Sequence, residues 1–449
     1  MIALSPLLIA FMFCIAALLV RRQPDAKKAR AFSVIATGLG FFVSLVFLGI
    51  EQFFPQAELS AAAHQVVLLP PGLLSFAPTV NCVIGMLAVS LSSVATHRSR
   101  SYANILALLL VSLTFVALTD PMALFFLWAF SAWIVYSELR ESNRTHKSAQ
   151  LFLIYHIPSI VLFGIGAWLH SEQVTTLSMI CLVLAIVIRE AVIPLHSWFP
   201  LFVSQAPMGI VVAFVAPQIG VYAHLTLLSE SLPSSFAHHI ATVGAITSIA
   251  AATLAIVQKD AKRALAFLMM SQTGLVAFGL ENESSVGYFG ALLTWQVLAL
   301  ASSGFAMSLS ALEARRGQLS LNAPGGNFSR TPHLATAFLL LGFATVGFPL
   351  TIGFIAEDLL VQGSVAEYPL LGISLIIATA LNGMTVMRAF FVLFSGSNTH
   401  IGEQDLCLRE RIALSVVLAV LLITGIQPRL LLSFEAQALP EQPPVQQTK

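Results

Sequence analysis

Charged residues are scarce in this chain of 449 residues. Only 10% of the residues are Asp, Glu, Lys or Arg, whereas 57% are hydrophobic, and the mean hydropathy is +0.87. Soluble domains carry about 25% charged residues, so this composition excludes a soluble enzyme. The chain is expected to be a polytopic membrane protein with the lipid bilayer as its main environment, and nucleic acid is not an expected partner.

Cysteine is also scarce, and several catalytic motifs are absent. The four cysteines show no CxxC spacing, which indicates neither a disulfide framework nor a zinc or iron–sulfur site. No GxGxxG, P-loop or HExxH pattern occurs, so nucleotide binding and soluble-type hydrolysis have no support. No cofactor, metal site or catalytic centre is therefore predicted, and an enzymatic role would come only from a larger complex.

Most of the sequence consists of long apolar runs. Runs of about 18 to 25 residues, each long enough to cross a hydrocarbon core of about 30 Å, recur from Ile2 to about Ile426. They predict an all-α membrane protein with about 14 transmembrane helices. The predicted units are 1–77 (helices 1 and 2 with an outer loop), 78–232, 233–396, 397–434 (a C-terminal helix) and 435–449 (a disordered, Pro- and Gln-rich tail).

Eighteen of the 22 basic residues lie on one side of the predicted topology, and the others are Arg189, Arg388, Arg429 and Lys449. The residues on that side lie only in loops that follow odd-numbered spans, so the positive-inside rule places those loops in the cytoplasm and both termini outside the inner (cytoplasmic) membrane. They are Arg21, Arg22, Lys27, Lys28, Arg30, Arg98, Arg100, Arg140, Arg144, Lys147, Lys259, Lys262, Arg263, Arg315, Arg316, Arg330, Arg409 and Arg411.

A short stretch with two charged residues interrupts the seventh span. In "AIVIREAVIPLHSWFP", residues 185–200, Arg189 and Glu190 are neighbours, and His196 follows Pro194. The side chains of adjacent helical residues point in directions about 100° apart around the helix axis. Each of the two charges therefore needs its own partner or its own water. Arg189 could instead extend to the lipid headgroups. The prolines favour a broken helix, which is tolerated at membrane depth where it lines a wet cavity.

Two further stretches carry ionisable groups. Asp260 and Lys262 lie in "VQKDAKRALAFLMMSQTG", which is either part of an ion path or a basic cytoplasmic loop. Glu357 and Asp358 end the Gly- and Pro-interrupted "GFATVGFPLTIGFIAEDLL", which is either a path or an acidic outer loop. Spans 7 and 12 share the interrupted layout and lie five spans apart, so they run in opposite directions, as in an inverted repeat.

Several motifs in the same order resemble the antiporter-like, proton-conducting membrane subunits of respiratory complex I and of Mrp-type sodium/proton antiporters. "IPLHSWFP" is similar to the family's PLHxWLP, and "QKDAKRALAFLMMSQTG" to its QxDxKRxLAxSTxSQxG; "GFPLTIGFIAEDLL" and "MRAFFVLFSG", which contains Arg388, match further motifs. The resemblance implies 14 helices in two inverted five-helix repeats, with discontinuous helices 7 and 12. It also implies proton relay along the midplane, other membrane subunits as partners, and a soluble energising module.

The resemblance breaks down at the family's relay positions. The helix 5 glutamate falls on Ala129, the helix 7 lysine falls on Arg189, and "WQVLALASSGF" replaces a segment with two histidines and a lysine. Arginine rarely releases its proton. The candidate ion-translocation residues are Arg189, Glu190, His196, Asp260, Lys262, Glu357, Asp358 and Arg388.

Three functions remain compatible with these residues. The first is a subunit of an ion-translocating complex that moves protons or sodium by an altered midplane path. The second is a non-conducting structural paralogue that docks partner subunits. The third is a cation-coupled membrane subunit of an inorganic-carbon uptake system.

Overall fold

The structure is a computed structural model that describes residues 5–53, 76–141, 146–229, 232–396 and 404–428. Within these residues the regular secondary structure is helical, apart from one isolated bridge between Asp260 and Ser320. The predicted outer loop around residue 62 and the predicted disordered tail lie outside the described residues.

The helices follow the predicted apolar runs. The first eight are α1 (Ser5–Arg21), α2 (Ala26–Phe53), α3 (Ala77–Ser90), α4 (Ser99–Ala117), α5 (Pro121–Glu141), α6 (His146–Ser171), α7 (Thr175–Arg189) and α8 (Trp198–Gln205). The next nine are α9 (Met208–Val215), α10 (Ile219–Leu227), α11 (Ser234–Val257), α12 (Ala261–Gly279), α13 (Ser285–Arg316), α14 (Pro332–Thr345), α15 (Ile352–Glu367), α16 (Pro369–Phe394) and α17 (Leu408–Ile426).

The helices form a multi-pass membrane protein. Among the described residues, eight helical spans are long and apolar enough to cross a membrane by length and composition, and α9 and α10 together form one of them. Large apolar side chains also cover the outer surface: Phe11 and Ile154 are each 64% exposed, and Leu370 is 84% exposed. Such a surface is stable against lipid tails and not against water. The predicted all-α polytopic fold is therefore confirmed.

Three membrane crossings are interrupted. The chain leaves helical geometry between α7 and α8, between α9 and α10, and between α14 and α15. Each interruption contains a non-glycine residue with positive φ, namely Ala191 (55°), Gln218 (42°) and Leu350 (77°). This left-handed conformation is strained for L-residues and recurs at functional sites. Breaks in spans 7 and 12 were predicted; the break in span 8 was not.

The number of crossings stays a prediction. If each interrupted pair is a single crossing, the helices of the described residues make fourteen crossings in the predicted order. The two predicted breaks also lie five crossings apart, as inverted repeats require. The boundaries of the predicted units are compatible with these helices but are not tested by them.

Buried apolar residues form two clusters, and several helices contribute to both. In α12, the buried apolar residues of 261–270 belong to one cluster and those of 275–280 to the other. The residues between them include the polar run 271–273. The same division occurs in α5 at Ser131 and in α16 at Asn382. A layer of polar side chains therefore separates two apolar cores.

Candidate functional site

Arg189 is buried at the end of α7. Its side chain does not extend to the surface, since the residue is only 6% exposed. Its Nη1 donates a 3.0 Å hydrogen bond to Ser131 Oγ in α5. Its guanidinium carbon lies 4.6 Å from the ring centroid of Trp128 and 4.2 Å from that of Phe214, and both rings attract a cation. This burial contradicts the alternative interpretation of Arg189 as an interfacial anchor.

Glu190 binds a different element from Arg189. Its Oε1 accepts a 3.0 Å hydrogen bond from the backbone N–H of Gly220, in the first turn of α10. The positive end of a helix dipole favours a carboxylate there. A Cβ at Gly220 would lie 2.4 Å from Oε1, so glycine is needed for this close approach. The expectation of separate partners for Arg189 and Glu190 is met, since Arg189 donates to Ser131 whereas Glu190 accepts from Gly220.

Neutral polar groups occupy the centre of the layer. Gln218 Nε2 donates to Thr273 Oγ1 at 2.9 Å, and Ser302 Oγ donates to Gln272 Oε1 at 3.0 Å. Gln272 Nε2 in turn donates to the carbonyl oxygen of Thr345, at the end of α14. Two adjacent residues of α12 therefore contact the two breaks: Thr273 the break in span 8 and Gln272 the break in span 12.

A small cavity lies at this centre. It has a volume of about 10 Å³ and is lined by Gln218, Gln272, Thr273 and Ser302 together with apolar residues. That volume suffices for about one water molecule. Gln218 Oε1 is buried and has no hydrogen-bond partner among the described residues. Because a buried polar atom without a partner is costly, a bound water is the expected partner of this oxygen.

Glu357 lies at the break in span 12. Its carboxylate packs against Gly347, where an added Cβ would lie 2.4 Å from Oε2 and where φ is +64°. The Thr379 side chain of α16 hydrogen-bonds to Glu357. One turn further along α16, Asn382 Nδ2 donates to Ser271 Oγ of α12 at 2.9 Å. A second carboxylate thus lies at the far end of the layer from Glu190.

These contacts define one polar layer. Its two acidic ends can each hold a proton, while its neutral centre can only relay one through hydrogen bonds and water. The layer consists of Ser131, Arg189, Glu190, Gln218, Ser271, Gln272, Thr273, Ser302, Glu357, Thr379 and Asn382.

A much larger cavity opens on the side of the basic loops. Its volume is about 870 Å³, and it lies among the α3–α4 connection, α5, the α8–α9 connection and the start of α12. Positive and negative side chains balance on its wall. They are Arg98, Arg100, Lys262 and Arg263 on one hand, and Glu138, Glu141, Asp260 and Glu313 on the other.

Lys262 and Asp260 line this cavity with different roles. Lys262 Nζ lies 2.7 Å from Glu313 Oε2 of α13, and its side chain is 12% exposed. Asp260 instead caps α12, since its Oδ1 accepts a 2.9 Å hydrogen bond from the backbone N–H of Arg263. An N-cap aspartate stabilises a helix by about 1 kcal/mol. The geometry therefore favours Lys262 over Asp260 as an ionic group of a path.

His97 adds no charge to the cavity at neutral pH. It lies in the connection between α3 and α4, and its Nε2 is 3.1 Å from Ser92 Oγ. Burial lowers the pKa of His97 to about 4; a hydrogen bond to the Ser93 carbonyl opposes this shift, and the charge of Lys262 adds to it. The imidazole is therefore neutral above that pH, and the wall keeps balanced charges.

Three other predicted site residues lie outside both the polar layer and the wall of the large cavity. Arg388 donates to the backbone carbonyl oxygens of Ile256, Gln258 and Leu321, which gives it a structural role between α16 and the end of α11. Asp358 is exposed, and its Oδ2 accepts a 2.7 Å hydrogen bond from Gln362.

The third of these residues, His196, lies in the break of span 7. It packs 6.5 Å, between ring centroids, from Phe267. Its buried Nδ1 has no hydrogen-bond partner among the described residues. The structure therefore places His196 beside the break but does not connect it to the polar layer.

Three buried acids were missed from the sequence: Glu410, which pairs with Arg315, and the two described next. Glu138 lies near the end of α5 and is 7% exposed; Glu281 lies just after α12 and is also 7% exposed. Glu281 Oε1 is 3.2 Å from His224 Nε2, within ion-pair distance but without hydrogen-bond alignment. Glu138 and Glu281 both lie near helix ends, where an acidic residue in a sequence usually indicates a solvated loop. Their burial is therefore visible only in the tertiary structure.

Comparison with known proteins identifies the relatives of this fold. The family described as "NADH:quinone oxidoreductase/Mrp antiporter, TM" matches residues 83–382, about two thirds of the chain. NADH-quinone oxidoreductase subunit M of Rickettsia prowazekii is 24% identical over 386 residues, which cover 79% of this chain and 77% of that protein. Alignments with subunit M of two further Rickettsia species span 59% and 69% of those proteins.

Solved structures share the fold at low sequence identity. A chain of respiratory complex I from Thermus thermophilus matches with a TM-score of 0.84 and 20% identity, covering 97% of both chains. A chain of the Mrp complex from Dietzia sp. DQ12-45-1b matches with a TM-score of 0.81 and 15% identity, covering 97% of this chain and 96% of that one. At such identities the similarity concerns the fold alone.

Proposed function

Because this chain belongs to the NADH:quinone oxidoreductase/Mrp antiporter membrane family, we propose that it is an ion-translocating membrane subunit of a multi-subunit complex. It moves protons, or sodium, along the polar layer between its two apolar cores. Other membrane subunits flank it, and a soluble module supplies the driving energy. The named relatives are subunits of such complexes.

The polar layer carries this proposal. Burying so many polar groups between two apolar cores costs free energy unless they are hydrogen-bonded, and such groups inside a membrane mark ion pathways. The layer passes through all three helix breaks and has a carboxylate at each end, Glu190 and Glu357. Bound water in the central cavity would complete the relay where the family's ionisable groups are absent.

The neutral centre also favours a second candidate, a non-conducting subunit that docks its partners. Gln218, Gln272 and Ser302 cannot store charge, so a layer of this kind could be purely structural. The experiment that separates the candidates is ion uptake by lipid vesicles that contain the purified complex. Uptake that stops when Lys262 is replaced supports translocation, and a parental complex without uptake overturns it.

Lys262→Ala is expected to abolish coupled ion uptake while the complex still assembles. Lys262 lines the large cavity and pairs with Glu313, and its loss removes the positive charge from that pair. We expect a decrease of about 100-fold, typical for loss of a proton-transferring group. The measurement is the initial rate of vesicle acidification together with the amount of complex purified.

Lys259→Ala is the matched control for Lys262→Ala. Lys259 lies three residues earlier and is exposed. Uptake with this variant is expected to stay within about twofold of the parent, since exposed charges contribute little. If Lys262→Ala takes up ions at the parental rate, residues 257–274 contain only a basic loop that has no role in the path.

We also propose that the subunit lies in the inner (cytoplasmic) membrane with both termini outside. The segregation of basic residues supports this orientation. With the native cysteines replaced, Pro24→Cys is expected to be protected from an impermeant thiol reagent added outside, whereas Ala62→Cys reacts. The reverse labelling pattern would overturn the topology and the assignment of the repeats.

A further inference from the structure

Glu138 is a buried carboxylate that is hydrogen-bonded to two neutral side chains. Its Oε2 accepts a 2.6 Å hydrogen bond from Asn104 Nδ2, and its Oε1 accepts one from Ser101 Oγ. Both donors are neutral side chains of α4, and among the described residues no cationic side chain forms an ion pair with this carboxylate. The site is therefore suited to binding a positive charge.

The large cavity gives this carboxylate access to one side of the membrane. Glu138 lines the cavity, whose wall also contains Lys262 and the neutral His97. The cavity volume of about 870 Å³ holds many water molecules. Protons from that side can therefore reach Glu138 without crossing an apolar core.

Glu138 shares a helix face with one residue of the polar layer. Ser131, which binds Arg189, lies seven residues earlier in α5. Residues seven apart share a helix face and are separated by about 10.5 Å along the axis. Both residues are buried, so this face of α5 leads from the cavity toward the Arg189 pocket.

We propose that Glu138 is the carboxylate that takes up protons from the large cavity and delivers them toward the polar layer. It accepts one proton from a hydronium ion in the cavity, forming an O–H bond on the carboxylate. It then releases that proton to a water molecule on the side of Ser131 and returns to its charged form. This assignment rests on the proposed function. It gives α5 an acid with a role in the path, although Ala129 occupies the position at which the family has a glutamate.

The test compares Glu138→Gln with Glu172→Gln in the purified complex in lipid vesicles. Glutamine keeps the size of the side chain but cannot carry a proton. We expect Glu138→Gln to lower proton uptake by about 100-fold. Glu172, in the connection between α6 and α7, is exposed and does not line the cavity, so its variant is expected to stay within about twofold of the parent.

A second measurement uses the parental complex and a hydrophobic carbodiimide, which modifies protonated carboxyl groups. Modification of Glu138, located by mass spectrometry and increasing as the pH falls, supports the assignment even if Glu138→Gln does not assemble. Absence of modification at Glu138 while uptake is inhibited would overturn it. Parental uptake with Glu138→Gln, when Lys262→Ala has lost uptake, would overturn this assignment alone; a parental complex without uptake would overturn the proposed function.

Discussion

Arg189→Ala is expected to destabilise the protein by about 3 to 5 kcal/mol, the typical effect of breaking a buried charge arrangement. The substitution removes the hydrogen bond to Ser131 and the contacts with the Trp128 and Phe214 rings. It also leaves a cavity between two apolar cores and removes the positive charge next to Glu190. The measurement is the yield of assembled complex and its thermal unfolding temperature.

Arg189→Lys is the matched variant for this prediction. It keeps the positive charge but loses the planar group that stacks on the two rings. It is expected to fold and to restore a side chain that can release a proton, as the resemblance implies for this position. An arginine at the membrane interface would contribute about 1 kcal/mol or less to the free energy of unfolding. If Arg189→Ala has parental stability and uptake, α7 is not part of the path.

Glu357→Gln is expected to lower ion uptake by about 100-fold without preventing assembly, because the amide cannot accept and release a proton. Glutamine has nearly the same shape, so the packing against Gly347 and the hydrogen bond from Thr379 can persist. The measurement is the initial rate of uptake by vesicles, normalised to the amount of complex.

Asp358→Asn tests the difference between two adjacent acids. Asp358 is exposed and contacts Gln362 instead of the polar layer. Its replacement is expected to change uptake by about twofold or less, as for other exposed charges. Equal losses for Glu357→Gln and Asp358→Asn would mean that proximity to the layer does not decide which acid carries the ion.

The broken spans show which features a sequence can predict locally. Proline fixes its own φ angle and lacks a backbone N–H, and glycine adopts φ angles that other residues rarely adopt. The breaks near Pro194 and Gly347 were therefore predictable. The break in span 8 also contains a proline, Pro217, but no ionisable residue accompanies it. A break was predicted only where a charged residue lies close to a proline, so this break was missed.

The partners of charged groups were less predictable than their positions. Arg189 binds Ser131, 58 residues earlier, and Glu190 binds Gly220, 30 residues later. Asp260 and Lys262 match one motif, yet Asp260 caps its own helix whereas Lys262 reaches Glu313. Such choices depend on which helices become neighbours, and sequence spacing does not contain that information.

The sequence by itself determined the membrane class, the order of the helices and the candidate family, because hydropathy and motif order are properties of consecutive residues. The tertiary structure decided that polar residues from distant helices join in one layer, and that Glu138 and Glu281 are buried although both lie near helix ends. The physical reason is that hydrogen bonding and burial depend on packed neighbours, and most of those neighbours come from other helices.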